Sequence, residues 1–146
     1  MELPDLSKRL VVEVETARCA ADAIQAVTGC TAGKRTLRFA DYGKLAATFW
    51  DLERGRAVRV AARGDLRERV GAKGAERHAA QAAAYRSWAA EELFTAREVD
   101  RELGPYDLPG PPRRRAACIV CGEEVADGKE LATEQGPCCR PCAGAG

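Results

Sequence analysis

Histidine is almost absent from this chain, and its single occurrence, His78, removes several kinds of chemistry at once. No Ser-His-Asp triad can be assembled around one histidine in an alanine-rich stretch with no cysteine or second histidine close by. His78 reads as a surface or half-buried helix residue. An excess of charge of one sign is also lacking: 23 lysines and arginines face 22 aspartates and glutamates. No global field therefore draws the protein to nucleic acid or to an acidic membrane. No apolar run approaches the length of a membrane span. No basic n-region followed by an apolar stretch opens the chain, which sets the expectation of a reducing, cytoplasmic setting. There is no internal repeat of useful length.

Cysteine, by contrast, is abundant and patterned. Cys118, Cys121, Cys139 and Cys142 form C-x2-C, seventeen intervening residues, then C-x2-C, which is tetrahedral zinc spacing. Residues 116–146 are too few to bury a core of their own, so a bound ion is expected to organise them. Two disulfides would need an oxidising compartment. Cys138, beside Cys139, is an alternative ligand, but the two-residue spacer favours Cys139 with Cys142. Assigning the quartet leaves Cys19, Cys30 and Cys138 of the seven cysteines.

Upstream, Val11, Val12 and Val14 with Glu13 and Glu15 between and after them read as a strand, and Thr16 as the N-cap of a helix from about Ala17 to Thr28, stopped by Gly29. Ala20, Ile24 and Val27 give that helix its expected buried stripe. A second strand is expected around Thr36 to Ala40, and a hairpin from Leu45–Asp51 and Ala57–Ala61 around Glu53, Arg54 and Gly55. Gly64, Asp65 and Gly71 bracket a short helical turn. A helix is expected from Ala75 to about Ala90, with Tyr85 and Trp88 on one face, while 93–103 reads equally as helix or strand. The prolines and glycines from Gly104 to Pro112 build neither, so 104–115 is expected to link a core of residues 1–103 to a zinc module of residues 116–146.

Candidate chemistry in the core gathers where the first strand meets the helix. Early in a helix capped by Thr16, Cys19 sits among unpaired N–H groups that favour a thiolate. Asp22 lies on the same face one turn on and Glu15 ends the strand before it, so Glu15, Cys19 and Asp22 form half of a metal or nucleophile site. The alternative is a packed Cys19 with two solvated carboxylates. Cys30 and Lys34 are the candidate cofactor contacts. A straight helix puts Cys30 roughly 15 Å from Cys19, too far to share an ion. The run from Gly29 to Thr36 departs from a phosphate loop in glycine spacing, in the place of Thr36 and in following a helix. Arg113, Arg114 and Arg115 precede a net acidic module, a pattern of solvated linkers more than of nucleic-acid readers.

The segments Glu15-Thr16-Ala17-Arg18-Cys19-Ala20-Ala21-Asp22-Ala23-Ile24-Gln25, Thr28-Gly29-Cys30-Thr31, Gly33-Lys34 and Asp41-Tyr42-Gly43-Lys44 resemble, in order and spacing, the FmdE family, the E-type subunits of formylmethanofuran dehydrogenase. The resemblance continues through Gly55, Val58, Arg59 and Val60, returns at Glu92-Leu93-Phe94, and closes on Cys118-Ile119-Val120-Cys121-Gly122-Glu123. It implies an α+β core, usually dimeric, followed by a small four-cysteine zinc module like a treble clef or zinc ribbon. It also implies an accessory role beside molybdenum or tungsten enzymes that reduce carbon dioxide to a formyl group, with their subunits as partners.

Members of the family usually begin with a helix bearing His-Gly-His and Cys-Pro-Gly, which this chain lacks before Leu10. That segment would complete the site begun by Glu15, Cys19 and Asp22 and bring a second metal. Either the true start lies upstream of Met1, or the chain has lost the site and is expected to be a non-enzymatic interaction or regulatory scaffold. Phe49 and Trp50, adjacent on one strand, must point to opposite faces, and covering both calls for a homodimer.

Overall fold

The computed structural model describes residues 3–5, 7–71 and 73–144. Two compact units make up the chain, Met1–Glu102 and Leu103–Gly146. In the first unit, strand β1 (Leu10–Val14) is buried along its whole length. Its β-branched valines suit a pleated surface packed on both sides. Leu10, Val12 and Val14 face helix α1 (Cys19–Thr28) and join Ala21, Cys30, Leu37 and Ala47 in one core cluster, with Ile24 and Phe49 packed against it.

The chain crosses by way of α1 into the short parallel strand β2 (Leu37–Phe39). Strand β3 (Ala46–Asp51) pairs antiparallel on the other side of β1. It turns through the predicted hairpin into β4 (Arg56–Ala62), against which β5 (Phe94–Glu98) closes the edge. The sheet order is β2-β1-β3-β4-β5. Between β4 and β5 lie helices α2 (Leu66–Val70), α3 (Glu76–Ser87) and α4 (Ala90–Leu93). Among the described residues no helix is long and apolar enough to cross a membrane.

Several expectations change here. Helix α1 begins at Cys19 with Arg18 as its N-cap and no capping side chain, while Thr16 is buried before the helix starts. The buried face of α1 runs through Ala21, Ile24 and Thr28, and Val27 is 61% exposed. Gly29 does stop the helix, in the left-handed region at φ 72° with its N–H donating to the Gln25 carbonyl. The ambiguous stretch after Leu93 is strand β5, because β4 offers it a free edge to pair with. Trp50 is covered within its own chain: its Nε1 donates to the Arg101 carbonyl at 2.6 Å, and the Arg101 guanidinium lies 5.4 Å over its ring. Phe49 packs against the core, so these two aromatics do not by themselves demand a second copy of the chain.

The face of the sheet away from α1 carries charge. Glu13 on β1 and Glu15 just beyond its end are buried. Arg101 donates to Glu13 Oε1 at 2.5 Å, and Arg38 lies 3.9 Å from its other oxygen. Arg59 clasps both oxygens of Glu15 at 2.6 and 2.7 Å. Strand alternation makes these contacts possible, since Arg38, Glu13, Thr48, Arg59 and Arg97 stand opposite one another across the five strands.

The second unit is two small hairpins. Strand β6 (Arg115–Ala117) pairs with β7 (Glu124–Ala126), and β8 (Leu131–Thr133) pairs with β9 (Gly136–Cys138). Its acidic residues engage the arginine triplet. Arg114 meets Glu130 at 2.6 Å, Arg115 meets Glu124, and the Arg113 N–H donates to Asp127. Two of the three guanidinium groups are thereby paired within their own module, and Arg113 is tied to it through its backbone.

Candidate metal centre

Each half of the centre is a turn that follows a strand. After β6, the Gly122 N–H returns to the Cys118 carbonyl at 2.9 Å, and after β9 the Ala143 N–H returns to the Cys139 carbonyl at 3.0 Å. The same i to i+4 closure thus brings both cysteines of each pair to one side. Gly122 sits at φ 75°, a conformation that glycine adopts without a Cβ penalty. The Ile119 N–H donates to the Pro137 carbonyl at 3.0 Å and ties the first turn to β9.

The sulfurs of Cys118, Cys121, Cys139 and Cys142 all lie within 4.8 Å of one another, and this is the one such group of metal-ligating side chains among the described residues. A tetrahedral zinc with Zn–S of about 2.3 Å sets its sulfurs about 3.8 Å apart. The Cys121 and Cys139 sulfurs are 3.9 Å apart, nearly twice the disulfide bond length of about 2.05 Å. All seven cysteines are free thiols. Four soft donors at ligand spacing fit a tetrahedral metal ion such as zinc.

Electrostatics divides the four unequally. Backbone N–H groups of Cys139, then Cys121 and Val120, point at the buried Cys118 sulfur and push its pKa down to about 5. The Glu123 N–H acts to lower Cys121, yet burial and the neighbouring thiols carry it upward overall. Cys142 is raised by its contacts with Cys139 and Cys121. The Cys118 thiol is thus favoured toward thiolate and those of Cys121 and Cys142 away from it, and because metal ligands must be deprotonated, metal uptake is coupled to proton release. Cys138 is buried 3.9 Å from the Cys118 sulfur and lies outside the four-sulfur group, with burial raising its pKa.

The candidate residues of the core are distributed differently. Cys19 is exposed at the first residue of α1 and Asp22 is exposed on the same helix. Glu15 is committed to Arg59, whose hydrogen bonds hold its carboxyl below the ordinary 4.5. Cys30 is in the core, 1% exposed, and its thiol donates to the Leu10 carbonyl at 3.4 Å. Lys34 folds back so that its Nζ donates to the Gly29 carbonyl at 3.4 Å. A cavity of 440 Å³, not foreseen from the sequence, opens on the apolar side of the sheet. Ala20, Ile24, Phe49, Leu66 and Phe94 are among its walls, and the Tyr85 hydroxyl is the one polar side-chain group there. Its walls come from elements far apart in the chain, which no local spacing reveals.

A mixed, mostly antiparallel five-stranded sheet with one helical crossover, followed by a four-cysteine module, defines a small α+β protein with a candidate metal centre. The chain belongs to the family described as FmdE, molybdenum formylmethanofuran dehydrogenase operon, whose model matches residues 1–100. Its fold is similar to that of an FmdE-like protein of the tungsten formylmethanofuran dehydrogenase type from Syntrophus aciditrophicus. That structure is 23% identical, with a TM-score of 0.57, over 95% of this chain and 73% of the other. None of the curated proteins matches this chain significantly.

Proposed function

We propose that this protein is a zinc-stabilised accessory protein that serves a molybdenum- or tungsten-dependent one-carbon redox enzyme, with zinc held by Cys118, Cys121, Cys139 and Cys142. The observation that carries the metal assignment is the four-thiol cluster at tetrahedral spacing. Family membership supports the association with the enzyme. In this reading the protein is cytoplasmic and homodimeric, bound to the subunits of a partner enzyme rather than to nucleic acid or membrane. Elemental analysis should give one zinc per chain, and light scattering should give twice the 15.7 kDa chain mass. Affinity purification from the native host should carry molybdenum or tungsten along with it. A preparation without zinc, or one that never brings down either heavier metal, would count against the respective half of the proposal.

A second reading is a non-enzymatic scaffold whose core site has been lost. It is favoured by the commitment of Glu15 to Arg59 and of Cys30 to the core. These leave Cys19 and Asp22 as the exposed remnant of the candidate core site. Addition of zinc or another divalent ion to protein already loaded at the four cysteines separates the two. Protection of Cys19 from alkylation would mark a second, core metal site.

A further inference from the structure

The module holds five cysteines, one more than a tetrahedral ion can use. The fifth, Cys138, is buried and yet touches a candidate ligand, its sulfur 3.9 Å from that of Cys118. The Cys121 and Cys139 sulfurs also approach to 3.9 Å. These two contacts share no atom, so they define two separate pairs, with the Cys142 sulfur within 4.8 Å of those of Cys118, Cys121 and Cys139 as the competing partner. We propose that the module is a thiol oxidation site at which a hydroperoxide joins Cys121 to Cys139 and Cys118 to Cys138, expelling the metal. The metal-release half of this rests on the zinc reading above, whereas the pairing of the thiols does not.

Exposure sets the order of events. Cys121 is open to solvent, and oxidation of thiols follows access as well as thiolate character. Attack by the Cys121 sulfur on the peroxide cleaves the O–O bond, leaving a sulfenic acid and an alcohol, or water where the oxidant is hydrogen peroxide. Cys139 then attacks that sulfur, forms the S–S bond and displaces water. The two sulfurs close from 3.9 Å to the bonding distance of about 2.05 Å.

Two ligands are now gone, and Cys118 with Cys142 cannot keep a closed tetrahedral shell. With the metal released, a second peroxide oxidises Cys118, and Cys138, already against it, closes the second bond. The balance is four thiols and two hydroperoxides giving two disulfides, two alcohols and two waters. Cys138 thus acts as the resolving thiol for Cys118.

The test uses the purified full chain and hydrogen peroxide at low excess. Zinc is measured before treatment, release is followed with a chromogenic chelator, and the oxidised protein is denatured, blocked with N-ethylmaleimide and weighed intact. Of seven cysteines, four become disulfides, so three adducts are expected, on Cys19, Cys30 and Cys142. Cys138→Ala has six cysteines and should close only the Cys121–Cys139 disulfide, leaving three maleimide adducts, on Cys19, Cys30 and Cys142, with Cys118 as a sulfenic acid that dimedone traps before denaturation. Cys138→Ser should behave in the same way, and both should hold as much zinc as the parent before oxidation. Two adducts in Cys138→Ala would mean that the four candidate ligands pair among themselves, and an adduct on Cys138 in the oxidised parent would overturn its role directly. Three adducts from protein that never held zinc would uphold the pairing while removing the zinc reading.

Discussion

Replacing Arg59 with alanine should destabilise the core far more than loss of a surface arginine. Arg59 meets Glu15 through two parallel hydrogen bonds of 2.6 and 2.7 Å, and the Glu15 side chain is 7% exposed. Removing one partner of a buried ion pair costs about 3 to 5 kcal/mol, because the remaining charge keeps its desolvation penalty and loses its compensation. Arg59 is itself 22% exposed, so the lower end, about 3 kcal/mol, is expected. At about 4 °C per kcal/mol for a unit of this size, the melting temperature should fall by about 12 °C. Arg9→Ala is the control. It breaks a 2.7 Å pair with Glu53 whose side chains are 41% and 55% exposed, and such pairs contribute about 0 to 1 kcal/mol. Thermal melts of the full chain, followed by circular dichroism, compare the two.

The pH dependence provides a second readout of the same pair. Because the folded pKa of Glu15 is depressed, its stabilisation is fully present above the ordinary 4.5 and is lost as pH falls through the lower folded value. In Arg59→Ala, burial becomes the largest remaining influence on that carboxyl, so the acid-side loss from this group should vanish and reverse. Converting both residues together, Glu15→Leu with Arg59→Met, should cost much less than Arg59→Ala alone. Equal losses in Arg59→Ala and Arg9→Ala, or an unchanged acid-side slope, would refute the reasoning.

Cys142→Ser should abolish stoichiometric zinc in elemental analysis and melt the second unit in proteolysis, while the β1 to β5 sheet stays protected. Structural zinc sites supply about 10 to 16 kcal/mol of apparent binding energy, more than a module with so few buried apolar residues can replace. In native protein Cys19 should alkylate at least tenfold faster than Cys30, because one is exposed and the other is 1% exposed; equal rates followed by mass spectrometry would contradict this placement. Gly29→Ala should destabilise more than Gly43→Ala in urea titrations. Both positions have positive φ, but a Cβ at Gly29 would lie 2.8 Å from Pro4 Cβ, whereas Gly43 faces open space. Each substitution carries the left-handed penalty of about 1 to 2 kcal/mol, so the difference between them isolates the clash.

Valine alternation made β1 legible, and Gly29 marked the end of α1, because both signals are local. The start of α1 was misplaced because Thr16, a good cap by type, is buried in the turn between β1 and the helix, and Arg18 takes the N-cap position. Glu15 looked free to serve a metal because its partner, Arg59, lies forty-four positions away and only strand pairing brings them together. The cysteine quartet was readable because its two turns are each closed within five residues. Cys138 was visible as an ambiguity, and its burial against Cys118 depends on the approach of β9 to the turn after β6.

The arginines on the charged face of the sheet also set a timetable for synthesis. Strand β1 leaves the ribosome near the beginning, carrying two carboxylates that the finished sheet buries. Glu15 must wait for Arg59, and Glu13 waits for Arg101, eighty-eight residues behind it in the chain. At about 5 to 20 residues per second, Glu13 stays without that partner for about 4 to 18 seconds. The central strand of the protein is among the first parts made and among the last whose charges can be settled. The Arg101 contact to Glu13 therefore forms only once β5 and the residues just beyond it have emerged.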